Sequence, residues 1–211
     1  DPPFGVDNQS NMSLTPEGRA QARKIANDKS PEIALISFRD VMDHALPGMM
    51  DESDIYIFTS YEVLANWIIA CDDYFEGGKT GFTRRSIIVW EKDGPGMGDL
   101  NSWGNGTEFI LYYKRGNRVP KTKRRNGVLH FDRVPSTKLI HPHEKPTAIL
   151  CEFIKYSTDP GDLVVDPHGG SGSLARAARQ VGRSAVTIEI DEFNHTESLR
   201  RFAARGDDLF S

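Results

Sequence analysis

Cysteine and long apolar runs are scarce in this 211-residue chain. Cys71 and Cys151 both lie in apolar helical patterns, and no CxxC or Cys/His spacing surrounds them. They therefore indicate core thiols better than a disulfide or a metal site. The longest apolar run, IIVW, is far too short to span a bilayer. The N-terminus also lacks the pattern of a secretory leader, so we expect a cytoplasmic protein. The short apolar runs and the lack of Cys/His spacing further predict that it has no membrane segment and no metal.

The overall composition is that of a folded domain. Hydrophobic residues make up 38% and charged residues 27% of the chain, which excludes a disordered protein. A length of 211 residues suits one α/β or α+β domain with one insertion. The net charge of −4 argues against a protein that coats nucleic acid indiscriminately, but a local basic strip remains compatible with DNA binding.

The first two thirds of the chain alternate helical and strand patterns. Helical spacing follows Ser30 and stops at Pro47 and Gly48, and a loose helix is expected to start at Thr15. DIYIFTS has the composition of a strand and YEVLANWIIACDDYF that of a helix. Two further strands, 84–93 and 106–116, follow without a helix between them. We expect these two strands to form an antiparallel hairpin at one edge of a mostly parallel sheet.

The last third has the clearest pattern. HPHEKPTAILCEFIKYS becomes a helix after Pro146, DLVVDP is a buried strand, GGSGSLARAARQVG is a glycine turn into a helix, and SAVTIEID and EFNHTESLRRFAARG are a strand and a helix. Such βαβα units build parallel sheets with ligands beyond the carboxyl ends of the strands. The sequence therefore predicts a doubly wound α/β fold in a single domain, 1–211.

A basic segment interrupts this pattern and carries no acidic residue through Gly127. We read 114–138 as an insertion whose cations contact the phosphates of DNA, although a charge run is more often a solvated loop. The candidate DNA-binding residues are Lys114, Arg115, Arg118, Lys121, Lys123, Arg124 and Arg125.

The glycine turn predicts a ligand site. Asp166 ends one strand, the glycines from Gly169 to Gly172 form the turn, and Glu189 ends the next strand. Such glycines let backbone amides and a helix N-terminus approach an anionic group, while the second acid typically accepts hydrogen bonds from a ribose. Close helix-sheet packing is the alternative for a lone glycine turn. GGSG is not GxGxxG, which disfavours dinucleotides, so we predict a pocket for a nucleoside cofactor.

Two proline-containing motifs complete the candidate site. DPPF, Asp1 to Phe4, reads as a rigid turn because consecutive prolines fix φ and remove two donors, although a frayed terminus or a cloning remnant would look the same. HPHEKP contains His141 and His143, but two histidines beside prolines without a Cys/His cluster are not a ligand set for a metal.

DPPF, HPHEKP and VVDPHGGSGSLARAARQVGRSAVTIEID, in that chain order, resemble the β-class amino-methyltransferases of DNA. That family carries D/S-P-P-Y/F/W, then HPxxKP, then DPFxGSGTT with IGIEID. The resemblance covers nearly the whole chain and implies a Rossmann-like methyltransferase fold with S-adenosylmethionine as cofactor. The sequence departs from the family at His168, which replaces the Phe of DPF, and at Ser173, which replaces a Thr but keeps its hydroxyl. His168 puts a titratable ring where the family has an aromatic wall.

The resemblance implies a role for each motif. His141 and Lys145 would close over the methionine end of the cofactor, with Lys145 as a partner for its carboxylate, and Glu189 would hold the ribose. The other cofactor-binding residues implied are Asp166, His168, Gly170, Ser171, Gly172 and Ser173.

In the catalytic motif, Asp1, Pro2, Pro3 and Phe4, the resemblance implies that the Asp1 carboxylate and the Pro2 carbonyl each accept a hydrogen of the target amino group. Phe4 would stack on a base flipped out of double-stranded DNA. Asp in the first position of this motif mostly accompanies adenine and Ser accompanies cytosine.

We therefore expect a bacterial or phage adenine-N6 DNA methyltransferase of a restriction-modification type. Its alternatives are cytosine-N4 transfer, a non-catalytic DNA-binding relative of the same fold, and methylation of RNA or protein. The short basic segment suggests a small recognition site or a homodimer. Because the family's motif follows a buried strand, we expect that Asp1 is not the native start.

Overall fold

The described part of the chain forms two units. The computed structural model describes residues 1–7, 25–94, 101–135, 139 and 143–203. The chain divides into a first unit of Pro2–Val89 and Thr107–Arg118 and a second unit of Asp1, Trp90–Gly106 and Val119–Ser211. The helix expected at Thr15 lies outside the described residues, and the single domain with its insertion stays a prediction.

The described helices of the first unit begin with α1, Pro31–Ala45. The Ser30 hydroxyl accepts a hydrogen bond from the amide of Ile33 at 3.4 Å, and Pro31 occupies the first helical position. A 3-10 turn, Leu46–Gly48, follows α1 directly. The predicted start and stop of this helix are therefore confirmed. Helix α2, Leu64–Asp72, continues into one π-helical turn, Asp73–Gly77.

The strands of this part of the chain are β1, Ser53–Thr59, β2, Phe82–Glu91, and β3, Thr107–Arg115. Strand β1 pairs antiparallel with β3, in a register that runs from Ser53 opposite Arg115 to Thr59 opposite Phe109. The order in the sheet is β1-β3-β2-β4, where β4 is Val128–His130. The predicted hairpin partners β2 and β3 are thus neighbours, as expected. They lie inside the sheet because β4 adds beside the end of β2, where the Phe131 amide donates to the Glu91 carbonyl at 3.3 Å.

Aromatic side chains fill the core of the first unit. Trp67, Phe75 and Tyr113 are fully buried. The ring of Phe38 meets that of Trp67 edge to face, with 5.3 Å between the centroids. Such edge-to-face contacts add to the free energy gained by burying apolar area. The core of this unit therefore joins α1, α2 and β3.

The second unit contains the predicted βαβα pattern. After β4 come α3, Thr147–Ser157, β5, Leu163–Asp166, α4, Ser173–Gln180, β6, Ser184–Thr187, and α5, Glu192–Ala203. Strands β5 and β6 pair in parallel, from Leu163 opposite Ser184 to Asp166 opposite Thr187. Helix α3 packs on α4, where the Cys151 thiol lies 3.6 Å from the carbonyl of the fully buried Ala177. This confirms the α/β class.

Both cysteines are free thiols. Cys71 is fully buried in the core of the first unit, and burial raises the pKa of its thiol to about 12. Burial also raises the pKa of Cys151. The expectation of core thiols is confirmed for Cys71, whereas Cys151 is only partly buried. Within the part of the chain that the structure describes, no helix is long and apolar enough to cross a membrane.

A carboxylate joins three elements of the first unit. Asp72, at the end of α2, accepts hydrogen bonds from Arg84 Nε at 2.9 Å, from Arg84 Nη2 at 2.8 Å and from the Tyr113 hydroxyl at 2.5 Å. The Arg84 hydrogen bonds, with a smaller contribution from Tyr113, hold the pKa of Asp72 below its usual 3.8 against the effect of burial. Burial raises the pKa of Tyr113, so its hydroxyl stays a donor.

Replacing this carboxylate with an amide should weaken the first unit. We expect Asp72→Asn to lower the free energy of unfolding by about 1–3 kcal/mol at pH 7, because the charge-assisted bonds from Arg84 and Tyr113 are removed. Since the folded-state pKa of Asp72 is lowered, its contribution is full above its usual pKa of 3.8 and is lost as the pH falls through the lowered value. The variant should therefore lose less stability on acidification than the wild type, as measured by urea unfolding between pH 7 and pH 2.

The neighbouring Asp73→Asn serves as the control. The Asp73 side chain is 72% exposed and pairs at the surface with Arg39 at 3.1 Å. Its removal should cost no more than about 1 kcal/mol. Equal losses of stability for the two variants would contradict the role assigned to Asp72.

Candidate active site

The DPPF motif leads into a chain segment that long-range hydrogen bonds hold. The indole of the fully buried Trp67 donates to the Phe4 carbonyl at 3.1 Å. The amides of Gly5 and Val6 donate to Asp28 Oδ1 at 2.7 and 3.4 Å, and Asp28 is itself buried. The exit from the motif is therefore fixed in the first unit.

Neither of these two anchoring residues could be predicted from the sequence. Asp28 and Trp67 stand outside every motif, and their partners are 22 to 63 positions away along the chain. The ring of Phe4 is half-buried and packs against the core of the first unit. Pro2 is buried, whereas Pro3 is half-buried. The rigidity predicted for the motif is thus supplied by its surroundings as well as by its prolines.

Gly5 requires the absence of a side chain. Its φ is +84°, in the left-handed region that glycine tolerates best. A Cβ on Gly5 would lie 2.5 Å from backbone atoms of Ser30 and Pro31. Since Pro31 starts α1, this close approach brings the turn after DPPF against the N-terminus of that helix.

Asp1 belongs to the second unit, where it forms an ion pair with Lys145. The distance from Lys145 Nζ to Asp1 Oδ2 is 2.8 Å, and the side chains are 5% and 24% exposed, respectively. Lys145 Nζ also donates to the His143 carbonyl at 3.2 Å. DPPF and HPHEKP, which are far apart in sequence, therefore meet at their charged residues. The predicted site residue His141 lies outside the described residues.

A buried carboxylate stands next to Lys145. The Glu144 side chain is 2% exposed, and its Oε1 accepts from Arg176 Nη1 at 3.2 Å and from Arg201 Nη1 at 2.7 Å. Arg176 lies on α4 and Arg201 on α5. Sequence reasoning missed this cluster because Glu144 fills a variable position of HPxxKP. The cluster ties the HPHEKP segment to the two helices that follow the glycine turn.

The glycine turn is closed by both acids predicted for it. Asp166 Oδ1 accepts from the amide of His168 at 3.0 Å. Glu189 Oε2 accepts from the amide of Gly170 at 2.7 Å, and Glu189 Oε1 accepts from the amide of Asp191 at 2.8 Å. The structure therefore brings Asp166, His168, Gly170 and Glu189 together at the carboxyl ends of β5 and β6.

The start of α4 has little free space. Gly172 has φ +74°, and a Cβ there would lie 3.0 Å from Ser198 Cβ on α5. The hydroxyls of Ser171 and Ser173 share a hydrogen bond of 2.9 Å, and both residues are buried. A backbone of this shape leaves amide groups at a helix N-terminus close to whatever binds in front of the turn.

The His168 ring is neutral at physiological pH. Burial lowers the pKa of His168 to about 4, while the Asp166 carboxylate opposes the shift. The ring therefore contributes a neutral aromatic surface above about pH 5.

The N-terminal part of the basic segment is engaged within the protein. Lys114 donates to the Arg118 carbonyl and lies 3.9 Å from Asp54. Arg115 Nη2 donates to the Met49 carbonyl at 2.6 Å. Lys114, Arg115 and Arg118 are all partly buried or bonded to the backbone of neighbouring segments. These bonds join β3 to the start of β1 in the first unit, so these cations have structural partners.

The rest of the segment lies in the second unit and forms two ion pairs. Lys121 contacts Asp159 at 2.5 Å, and Arg125 contacts Glu152 at 3.2 Å. Lys123 and Arg124 are exposed. The net positive charge that this segment offers to a phosphate is therefore smaller than the sequence suggests. The described residues contain no group of three or more His, Cys, Asp or Glu side chains that could hold a metal ion.

The sequence and the fold match known DNA methylases. A family of N6/N4 methyltransferases described as "DNA methylase" matches residues 1–200. The DNA adenine methyltransferase YhdJ of Escherichia coli (strain K12) is 41% identical over 57% of this chain and 52% of its own length. The chain spans about half the length, or less, of the curated relatives it matches.

Two solved structures have the same fold. The M1.HpyAVI complex with SAM superposes with a TM-score of 0.66 and 24% identity, over 77% of this chain and 80% of that chain. The PvuII DNA methyltransferase, named cytosine-N4-specific, gives a TM-score of 0.67 and 15% identity, over 90% of this chain and 77% of that chain. These likenesses confirm the Rossmann-like α/β fold predicted from the sequence.

The turn after DPPF offers a test with a matched control. Gly5 and Gly161 both have positive φ, +84° and +91°, but nothing lies within 4 Å of a Cβ on Gly161. Gly161→Ala should therefore cost only the left-handed backbone conformation, roughly 1–2 kcal/mol. Gly5→Ala should lower the free energy of unfolding by about 3 kcal/mol or more, because the clash with the start of α1 adds to that cost. Urea unfolding measures both, and equal losses would show that the close approach of Gly5 has no energetic consequence.

Proposed function

This chain belongs to the N6/N4 family of DNA methylases, and we propose that it transfers a methyl group from S-adenosylmethionine to the N6 amino group of adenine in double-stranded DNA. The observation that carries the choice of adenine is the Asp in the first position of DPPF. The relative YhdJ, named a DNA adenine methyltransferase, supports the same choice. Because DNA is the proposed substrate and the matched relatives are bacterial, we also propose the cytoplasm as the place of action.

The residues at the glycine turn fit the proposed cofactor. Gly170 and Gly172 have a left-handed backbone, and the buried hydroxyls of Ser171 and Ser173 lie between them and the first turn of α4. Backbone amides at a helix N-terminus suit a carboxylate, and an acid that follows β6 suits ribose hydroxyls. The residues we assign to the cofactor are Asp166, His168, Gly170, Ser171, Gly172, Ser173 and Glu189, with His141 at the methionine end.

When bound, S-adenosylmethionine supplies an electrophilic methyl carbon whose C–S bond breaks as the N–C bond forms, and the surplus amino proton passes to solvent. The protein's task is to prepare the amino nitrogen, since its lone pair is delocalised into the base. In our proposal the Asp1 carboxylate and the Pro2 carbonyl each accept a hydrogen bond from the amino group. These bonds orient the nitrogen and stabilise the positive charge that develops on it before the surplus proton is released. Phe4 supplies the surface on which the flipped base stacks.

The exposed cations of the basic segment are proposed to contact the DNA backbone. Lys123 and Arg124 support this role because their side chains lie at the surface. A short segment with few available charges suits a small recognition site or the contribution of a second subunit.

Replacing Asp1 tests the chemistry. Asp1→Ala should abolish methyl transfer, because the amino group loses its charged acceptor, while the Kd for S-adenosylmethionine changes little. Radiolabelled methyl incorporation and calorimetry measure the two quantities. Mass spectrometry of nucleosides from DNA methylated by the wild type identifies the base: N6-methyladenine is expected. N4-methylcytosine would replace our choice of base, and an inactive wild type that still binds the cofactor would favour a non-catalytic role.

The role of the exposed cations has a separate test in the salt dependence of DNA binding. Lys123→Ala should weaken binding to any duplex and lower the slope of log K against log salt by about 0.9, because one phosphate fewer is neutralised in the complex. Lys29→Ala, which removes an exposed cation elsewhere in the chain, is the control. An equal effect of both variants in fluorescence anisotropy would contradict the assignment of Lys123 to a phosphate.

A further inference from the structure

We propose that Lys145 is a positioning residue for Asp1, acting on the catalytic carboxylate and not on the cofactor. The proposal rests on the proposed methyl transfer, in which Asp1 holds the target amino group. It assigns to the HPHEKP motif the task of orienting DPPF. The contacts that support it all lie within the second unit.

The first support is the geometry and burial of the pair. A separation of 2.8 Å between Lys145 Nζ and Asp1 Oδ2 is that of a charge-assisted hydrogen bond. The Lys145 side chain is only 5% exposed, so its ammonium has given up most of its water. A buried ammonium is costly unless an anion and further acceptors surround it. Asp1 is that anion, and the His143 carbonyl is a further acceptor at 3.2 Å.

The second support is what fixes Lys145 in turn. Its neighbour Glu144 is held by Arg176 from α4 and Arg201 from α5, with both guanidinium groups on the same carboxylate oxygen. Helix α4 begins at the glycine turn, and Gly172 in that turn is in close contact with Ser198 on α5. The ion pairs of Glu144 with α4 and α5, and the ion pair of its neighbour Lys145 with Asp1, thus connect the glycine turn to the Asp1 carboxylate.

Such a connection has a clear use in methyl transfer. The reacting nitrogen must be aligned with the methyl carbon, and a displacement of about 1 Å can lower the rate about 100-fold. Asp1 sets the position of the nitrogen, and the glycine turn sets the position of the cofactor. Tying the first to the second through Lys145 and Glu144 keeps the two aligned.

Substituting Lys145 distinguishes this role from direct cofactor binding. Lys145→Met keeps the length of the side chain and removes the charge. We expect it to lower kcat about 100-fold, while the Kd for S-adenosylmethionine, measured by calorimetry, changes less than about threefold. Lys145→Arg restores a cation beside Asp1 and should recover about tenfold of the loss. Lys155→Met, the same substitution at an exposed position of α3, should leave kcat and Kd unchanged.

A double-mutant cycle with Asp1→Asn gives the decisive result. If Lys145 acts through the Asp1 carboxylate, Lys145→Met should lower kcat by less than about threefold in the Asp1→Asn background. An undiminished loss in that background, or a large rise in the Kd for S-adenosylmethionine with kcat retained, would overturn the proposal. Wild type that methylates no DNA would instead refute the proposed function, so the two failures are distinguishable. Thermal unfolding of each variant separates loss of positioning from loss of folding.

Discussion

A carboxylate that leaves water must find hydrogen-bond donors, and this constraint organises both units of the protein. In the first unit Asp72 gathers Arg84 and Tyr113 from β2 and β3, while Asp28 accepts the amides that follow DPPF. In the second unit Glu144 gathers Arg176 and Arg201. The donors come from elements that are distant along the chain. Each carboxylate thereby fixes a tertiary contact in addition to being neutralised.

The same constraint applies at the candidate active site. Asp1 and Lys145 form a largely buried ion pair, and Glu189 closes the glycine turn by accepting the amide of Gly170. When the attacking group is a weakly nucleophilic amino nitrogen, the reaction rate gains most from hydrogen-bond acceptors held at fixed distances. Charged groups held by several partners meet that need because little reorganisation remains for the moment of reaction. The acids and cations of the motifs therefore serve the architecture and the proposed chemistry together.

Local patterns were sufficient for much of the fold. The cap at Ser30, the stop at Pro47 and Gly48 and the βαβα order of the last third depend on neighbours within a few residues, and the structure reproduces them. Charge gave a less complete prediction. Lys121 and Arg125 read as free cations in the sequence, but Asp159 and Glu152, which approach only through folding, partly neutralise them. A count of basic residues therefore overstates the surface available to DNA.

The sequence by itself determined the family and the candidate reactive groups, because DPPF, HPHEKP and the glycine turn are short motifs whose proposed chemistry resides in the residues present. Only the tertiary structure decided which of these groups meet. It paired Lys145 with Asp1, placed Trp67 and Asp28 behind the motif, and joined Glu144 to two helices. The physical reason is that ion pairs and hydrogen bonds between distant residues depend on distance and burial. Neither quantity is expressed in local composition or spacing.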